Sequence, residues 1–295
     1  MRLLRSCIAL ATVVAPSACS LLVAVDGLEG GATSNPDAAD GAIVTSDGGD
    51  GSTNAETGAP ADGGDAGPWC QTHRGDAAFC EDFDTPGQGL GLWDGFILKG
   101  GGTTTLSTAA PSSAPFSLRS DLPAIGAVDG GGGLSEAYVY SNQAKSSNDM
   151  TLELDLLLEK VNDVGTQVQI AKIIQENPLD PKQDAWEVGL AVKAGSRKLV
   201  VFQFNYFSSA YGEPYTYPTA LAKDTWVRLR LNLHAFGTLD GRVDLDVDGT
   251  RAVTDIAVQP AYAFSPSQVS VGAVYTQPPH NGWTVRTDNV IFDVK

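Results

Sequence analysis

Glu153, Asp155 and Glu159 are the residues whose types come closest to bond-breaking chemistry. They alternate with Leu152, Leu154, Leu156 and Leu158, so a strand that buries the leucines presents all three carboxylates on its opposite face. Two carboxyl groups cleave a glycosidic bond when they stand roughly 5–5.5 Å apart for retention, or up to about 9.5 Å for inversion. Glu153 and Glu159 are six residues apart, which is about 20 Å along an extended strand. That spacing is too long for one bond. The alternative for the same three residues is a solvated polar face on a half-buried strand.

A polar face of this kind also suits binding. If the apolar sides of successive strands point inward, their outward sides carry Glu153 and Asp155, Gln167 and Gln169, Glu187, Gln203 and Asn205, Arg228 and Arg230. Amide, carboxylate and guanidinium groups on neighbouring strands can pair with the hydroxyls of a sugar. Residues 202–217 hold seven aromatics, with Tyr206, Tyr211, Tyr215 and Tyr217 set among Ser, Gly and Pro. Tyrosines in a loop offer flat apolar faces with a polar edge, suited to stacking on sugar rings. The competing expectation is that Phe202 and Phe204 are core and the tyrosines pack the loop down.

Strands must position these residues, and residues 224–253 show it best. Val227, Leu229, Leu231 and Leu233 alternate with Trp226, Arg228, Arg230 and Asn232, the period of a half-buried strand. Asp240-Gly241 and Asp248-Gly249 each precede a fresh alternating run, and Asp-Gly supplies the two positive-φ residues of a type I′ hairpin turn. Met150–Val161 forms a long strand. Further strands are expected over 77–83, 93–99, 134–140, 166–174, 185–192, 199–206, 268–276 and 283–294, with a bulge or half a helical turn at 171–175. Residues 111–123 are expected to form loop and edge, 177–183 a loop, and the glycines of 130–133 a flexible turn. This pattern predicts an all-β, two-sheet antiparallel jelly-roll sandwich over residues 69–295.

The net charge of −16 has two sources. Residues 26–65 contain nine carboxylates and no basic residue, while 69–295 set 17 basic against 26 acidic residues. No basic patch is present to neutralise phosphates, which argues against a nucleic-acid partner. Residues 20–68 are rich in Gly, Ala, Asp and Ser; they cannot bury enough surface to offset their ordering entropy and are expected to form a disordered acidic tether. Residues 1–19 have the layout of an export signal, with Arg2 and Arg5, an apolar run, and small residues before Cys19. Cys70 and Cys80, the thiols of the globular part, are expected to form a disulfide in an exported chain. His73 and His280 are expected at the surface and His234 in a structural role.

Two resemblances follow from these residues. Pro16-Ser17-Ala18 before Cys19 resembles a bacterial lipobox, which implies acylation of Cys19 and an outer-membrane anchor, with simple secretion as the alternative. Phe79-Cys80-Glu81-Asp82-Phe83, Trp226–Leu231 ahead of Val247-Asp248-Gly249, and Asp288-Asn289-Val290 resemble concanavalin A-like (laminin-G-like) jelly rolls, a set also similar to myxobacterial envelope lipoproteins. The resemblance implies that the first and last strands lie side by side. It also implies a structural calcium site between them, for which Asp84 and Asp288 are the positions. Glycoside hydrolases of the laminarinase and lichenase group on this fold carry Glu-x-Asp-x-Glu, or one residue more; Glu153-x-Asp155-x-x-x-Glu159 is longer. Three functions stand open: a cell-surface lipoprotein with a non-catalytic glycan-binding module, a laminarinase-type hydrolase, and a structural or adhesion protein with no small ligand.

Overall fold

The computed structural model describes residues 69–73, 75–84, 90–126, 134–144, 147–176, 185–206, 208–234, 240–258 and 266–295. Cys19, the export segment, the acidic tether, the 130–133 turn and the 177–183 loop lie outside them. The described chain runs α1 (Trp69–His73), β1 (Phe79–Glu81), β2 (Gly95–Lys99), β3 (Thr103–Ser107), β4 (Ser117–Leu122), β5 (Ser135–Gln143), β6 (Met150–Lys160), β7 (Gln167–Glu176), β8 (Ala185–Lys193), β9 (Lys198–Asn205), β10 (Ala210–Ala220), β11 (Trp226–His234), β12 (Arg242–Val247), β13 (Thr250–Ala257), β14 (Ser267–Thr276) and β15 (Trp283–Val294).

These strands form two antiparallel sheets. The first has the order β13-β12-β11-β6-β15-β4-β3, with β1 added alongside β15; the second has the order β10-β9-β8-β7-β14-β5-β2. The fold is the expected jelly-roll sandwich. Chain ends meet as the motifs imply: Phe79, Cys80 and Glu81 pair with Phe292, Ile291 and Val290. The meander is present as β11, β12 and β13, and Asp248 and Gly249 both have positive φ, 50° and 69°. Alternation fixes what is buried. Leu152, Leu154, Leu156 and Leu158 of β6 meet Leu229, Leu231, Val285 and Phe292 in the first sheet's inner layer, facing Val188, Leu190, Leu199 and Val201 of the second. Side chains from both layers fill the space between sheets about 10 Å apart.

Three segments differ from expectation. Residues 117–122, placed in loop and edge, form β4 between β15 and β3. Residues 210–220, placed in a tyrosine loop, form β10 on the edge of the second sheet. An edge strand tolerates Pro214 and Pro218 because the backbone there need not donate on both sides. The irregularity expected at 171–175 falls earlier, as a bulge between Gln169 and Ala171; from Ala171 the strand pairs in unbroken register to Glu176.

Cys70 and Cys80 form the disulfide, ten residues apart. It holds α1 beside β1, and the Cys70 N–H donates to Asp82 Oδ2 at 2.7 Å. Closing a loop of this length stabilises by roughly 2–3 kcal/mol through the unfolded state. Cys70→Ala/Cys80→Ala is therefore expected to shift chemical denaturation by that amount, and an unchanged midpoint would show that the bridge constrains nothing.

Candidate functional site: a tyrosine-lined cleft on the second sheet

The sandwich has two outer faces, and the sequence-predicted residues divide between them. Glu153, Asp155, Arg228 and Arg230 lie on the outer face of the first sheet, where Arg228 pairs with Asp155 and Arg230 with Glu153 across β6 and β11. Arg228 Nη2 stands 2.6 Å from Glu153 Oε1, and its Nη1 stands 2.9 Å from Asp155 Oδ1. Asp155 Oδ2 accepts the Ser112 hydroxyl at 2.6 Å and Asn289 Nδ2 at 2.7 Å. Glu159 is held by Arg286 at 2.7 Å and Arg119 at 3.4 Å. The Trp69 ring of α1 covers the Arg228 guanidinium, 4.5 Å from its centroid. These carboxylates are therefore engaged in an ion-pair lattice.

Gln203, Asn205, Tyr215 and Tyr217 do not line the outer face of the second sheet: Asn205 is buried and the other three are half-buried. Strand β9 is turned over relative to expectation: Gln203 pairs with Val188 and Asn205 with Trp186, both inward residues. Pairing of Tyr215 with Val201 puts it inward too, where its hydroxyl donates to the Ala252 carbonyl at 3.2 Å. Tyr217 packs against the core beside it. Asn205 Oδ1 accepts the Ser208 N–H at 2.8 Å, closing the turn after β9.

Gln169, Glu187, Tyr206 and Tyr211 come together. They line a cleft of about 830 Å³ on the outer face of the second sheet. Glu187 of β8 is its organising residue: Lys172 Nζ approaches Glu187 Oε1 at 2.6 Å, and the Tyr206 hydroxyl donates to the same oxygen. Both charged side chains are under a tenth exposed. Lys172 also sits over the Tyr138 ring, 5.8 Å from its centroid. Two further ion pairs line the walls, Lys99–Glu136 at 3.0 Å and Lys193–Glu213 at 2.6 Å. Tyr211 receives an amide hydrogen bond from Gln167 and donates to Glu213 at 3.2 Å. Gln169 is different. It is 7 % exposed and lines the cleft with an uncharged amide.

The electrostatics keep the tyrosines protonated. Burial, then the Glu187 carboxylate beside it, pushes the Tyr206 phenol well above its ordinary range. Burial, then Glu136 and Glu187, does the same for Tyr138. Burial chiefly, opposed by the Gln167 amide and reinforced by Glu213, raises Tyr211. All three are hydrogen-bond donors at neutral pH. Tyr138, Lys172, Glu136, Lys193, Glu213 and Tyr275 were not singled out from the sequence. A lysine inside the apolar run of β7 is a usable signal, because a buried ammonium needs a carboxylate nearby.

Asp84 and Asp288 are neighbours at the other face, as the calcium expectation requires, and three of their four carboxylate oxygens accept backbone N–H groups. Asp288 Oδ2 accepts the Ser112 and Ser113 N–H groups at 2.9 and 3.0 Å, and Oδ1 accepts the Asn289 N–H at 2.8 Å. Asp84 Oδ1 accepts the Phe116 N–H at 3.2 Å. Among the described residues no group of three or more His, Cys, Asp or Glu is placed to hold a metal ion. A calcium site needs six to eight oxygens, of which these two residues could supply at most four. His280, expected at the surface, is 2 % exposed and pins the loop before β15, bonded to Ser135 Oγ at 2.9 Å. His234 stands about half exposed beside Asp244, at 3.2 Å.

No protein-family model and no curated protein sequence matches the chain. Solved structures do. An endo-β-1,4-glucuronan lyase from the fungus Trichoderma reesei superposes with a TM-score of 0.54 at 13 % identity, over 74 % of this chain and 96 % of that one. The alginate lyase vAL-1 from Chlorella virus gives 0.52 at 11 % identity, over 70 % and 94 %. The marine PL-14 alginate lyase from Aplysia kurodai gives 0.51 at 12 % identity, over 74 % and 99 %. This chain shares with these polysaccharide lyases a jelly-roll sandwich, and at such identities it is the fold that the likeness establishes.

Proposed function

We propose that the protein is a non-catalytic polysaccharide-binding module that holds a glycan in the cleft on its second sheet. The observation that carries this reading is Gln169. It is a largely buried residue that lines a cleft whose walls carry Tyr138, Tyr206, Tyr211 and Tyr275. A side-chain amide presents one acceptor and two donors to paired hydroxyls, while tyrosine faces bury the apolar face of a sugar ring. The cleft's three lysines are each neutralised by a glutamate, and the domain carries nine more acidic than basic residues. The fitting ligand is accordingly an uncharged stretch of polysaccharide. In this reading the export signal, an acylated Cys19 and the acidic tether display the module at the outer-membrane surface.

Calorimetric titration with neutral β-glucan oligosaccharides and with uronate oligosaccharides tests it. Neutral oligosaccharides are expected to bind, with Tyr211→Ala and Gln169→Ala each weakening affinity about tenfold, the worth of a stacking face or a hydrogen bond to a buried group. No heat from any glycan, or unchanged affinity in both variants, would remove the cleft as the site.

A second reading is elimination on a uronate chain, favoured by the lyase-like fold and by the connected Tyr206–Glu187–Lys172 group. Elimination needs a base to remove the proton next to the carboxylate and an acid for the leaving oxygen. The tyrosines supply the acid, but burial and Glu187 oppose the phenolate that would serve as base. The binding reading therefore fits the geometry better. Appearance of unsaturated uronate product, lost in Tyr206→Phe, would reverse that order.

A further inference from the structure

The connection between β14 and β15 carries the one asparagine of the sequence that is followed by glycine, Asn281-Gly282. Its backbone is fixed from both sides. The His280 N–H donates to the Ile125 carbonyl at 2.9 Å, and the His280 carbonyl accepts the Ile125 N–H at 2.8 Å. The Asn281 N–H donates to Asn162 Oδ1 at 2.9 Å. Gly282 has a φ of 90°, and a Cβ there would stand 2.6 Å from the Leu122 carbonyl oxygen, so the position admits only glycine. Asn281 itself is exposed, between two buried neighbours.

His280 is aimed at this dipeptide. Its Nδ1 accepts the Gly282 N–H at 3.2 Å, and a backbone N–H can only donate, so Nδ1 carries the lone pair. The ring proton is therefore on Nε2, which donates to Ser135 Oγ at 2.9 Å. Burial, then the charge of Lys160, lowers the imidazole from the ordinary histidine value, and the ring is neutral at neutral pH. The Lys160 ammonium lies beside Gly282, 3.0 Å from where a Cβ would be. A neutral base thus holds the Gly282 N–H, with a cation next to the same residue.

We propose that Asn281 is a self-modification site, at which the Gly282 nitrogen attacks the Asn281 side-chain carbonyl carbon with His280 as the base. The Gly282 proton passes to His280 Nδ1 as the new N–Cγ bond forms. The Cγ–Nδ2 bond then breaks, and the proton departs with the amide nitrogen as ammonia. Water opens the resulting succinimide to aspartate or isoaspartate. Glycine leaves its nitrogen unshielded by a side chain, and Lys160 offsets the negative charge that develops beside it. Isoaspartate lengthens a main chain already held at Ile125 and Asn162, so the modified loop must shift.

Incubation of the full chain, followed by peptide mass mapping and isoaspartate detection, tests the proposal. Conversion is expected at Asn281 ahead of every other asparagine. Its rate is expected to stay level from about pH 7 to about pH 9, because His280 is already neutral there. The urea-unfolded chain no longer holds His280 against Gly282, and is expected to convert in proportion to hydroxide instead. His280→Asn keeps an acceptor near the Nδ1 position without a basic lone pair. It is expected to remain folded and to convert at least about tenfold more slowly than the parent. The parent's pH profile decides the point without any variant. No conversion at Asn281, a folded parent whose rate follows hydroxide, or a His280→Asn protein that converts as fast as the parent would overturn the assignment.

Discussion

Lys172→Met is expected to destabilise the domain by about 3–5 kcal/mol, the cost of leaving one partner of a buried ion pair uncompensated. Glu187 would keep the Tyr206 hydroxyl but lose its ammonium partner at 2.6 Å, in a place where its side chain is 4 % exposed. For a domain of this size the loss corresponds to a fall in Tm of roughly 10 °C. The double variant Lys172→Met/Glu187→Gln is expected to recover most of it. Glutamine still accepts the Tyr206 hydrogen bond and carries no charge, so the pair is replaced and not broken. Urea denaturation of the parent, both single variants and the double variant measures the coupling directly. A single-variant cost below about 1 kcal/mol would mean that water reaches the pair as it does a surface ion pair.

Why Lys172 escapes a reading of the sequence is instructive. Gln167 and Gln169 alternate with Val168 and Ile170, and continuing that period puts Lys172 with the core. The bulge between Gln169 and Ala171 shifts the phase by one residue, so Lys172 emerges on the cleft face opposite Gly189. An extra residue in a strand leaves no mark on composition. The same limit operates in β9, where residues 199–202 are an unbroken apolar run with no period to follow. Both of its faces are buried: Leu199 and Val201 in the main core, Val200 and Phe202 against Ala191 under the cleft. A one-residue choice of register there sends Gln203 and Asn205 to the wrong side.

The broader division of the site was hidden for a different reason. Alternation says which residues of a strand point outward, but not from which of two sheets. β6 and β7 are consecutive, yet β6 lies in the first sheet and β7 in the second. Pooling their outward residues placed Glu153 and Arg228 beside Gln169 and Glu187, although the whole sandwich separates them. By contrast, β11 to β13, the leucines of β6 and the pairing of chain ends were legible, because each depends on local period, a turn dipeptide or a strand motif.

Stability is expected to fall as pH rises from about 5 to about 8, and Asp288→Asn is expected to flatten that fall. Three buried carboxyl groups near the junction of β1 and β15 drive it. Burial raises Asp288 to about 8, against the opposing N–H groups of Ser113, Asn289 and Ser112. Burial raises Glu81 to about 7 and Asp84 to about 6, opposed by the N–H groups of Phe83 and Phe116. In the unfolded chain all three ionise near 4. The folded state therefore binds more protons throughout the interval; its stabilisation is complete below the unfolded values and is lost as pH climbs through 6, 7 and 8. Glu81 Oε2 is buried without a partner, so ionising it is costly in the same sense. Asparagine at 288 has one acceptor oxygen, enough for the Ser112 and Ser113 N–H groups but leaving the Asn289 N–H without its acceptor; it has no proton to lose. The variant is expected to lose less stability than the parent between pH 5 and pH 8, by on the order of 2–3 kcal/mol. Because the carboxylate oxygens already accept backbone donors, millimolar calcium is expected to leave Tm at pH 8 unmoved. A bound cation would give the opposite slope, with ionised carboxylates favoured and stability rising with pH. Denaturation midpoints across this range, with calcium and with chelator, separate the two: a rise in Tm on adding calcium, absent in Asp288→Asn, would establish the metal site and overturn the proton-holding account.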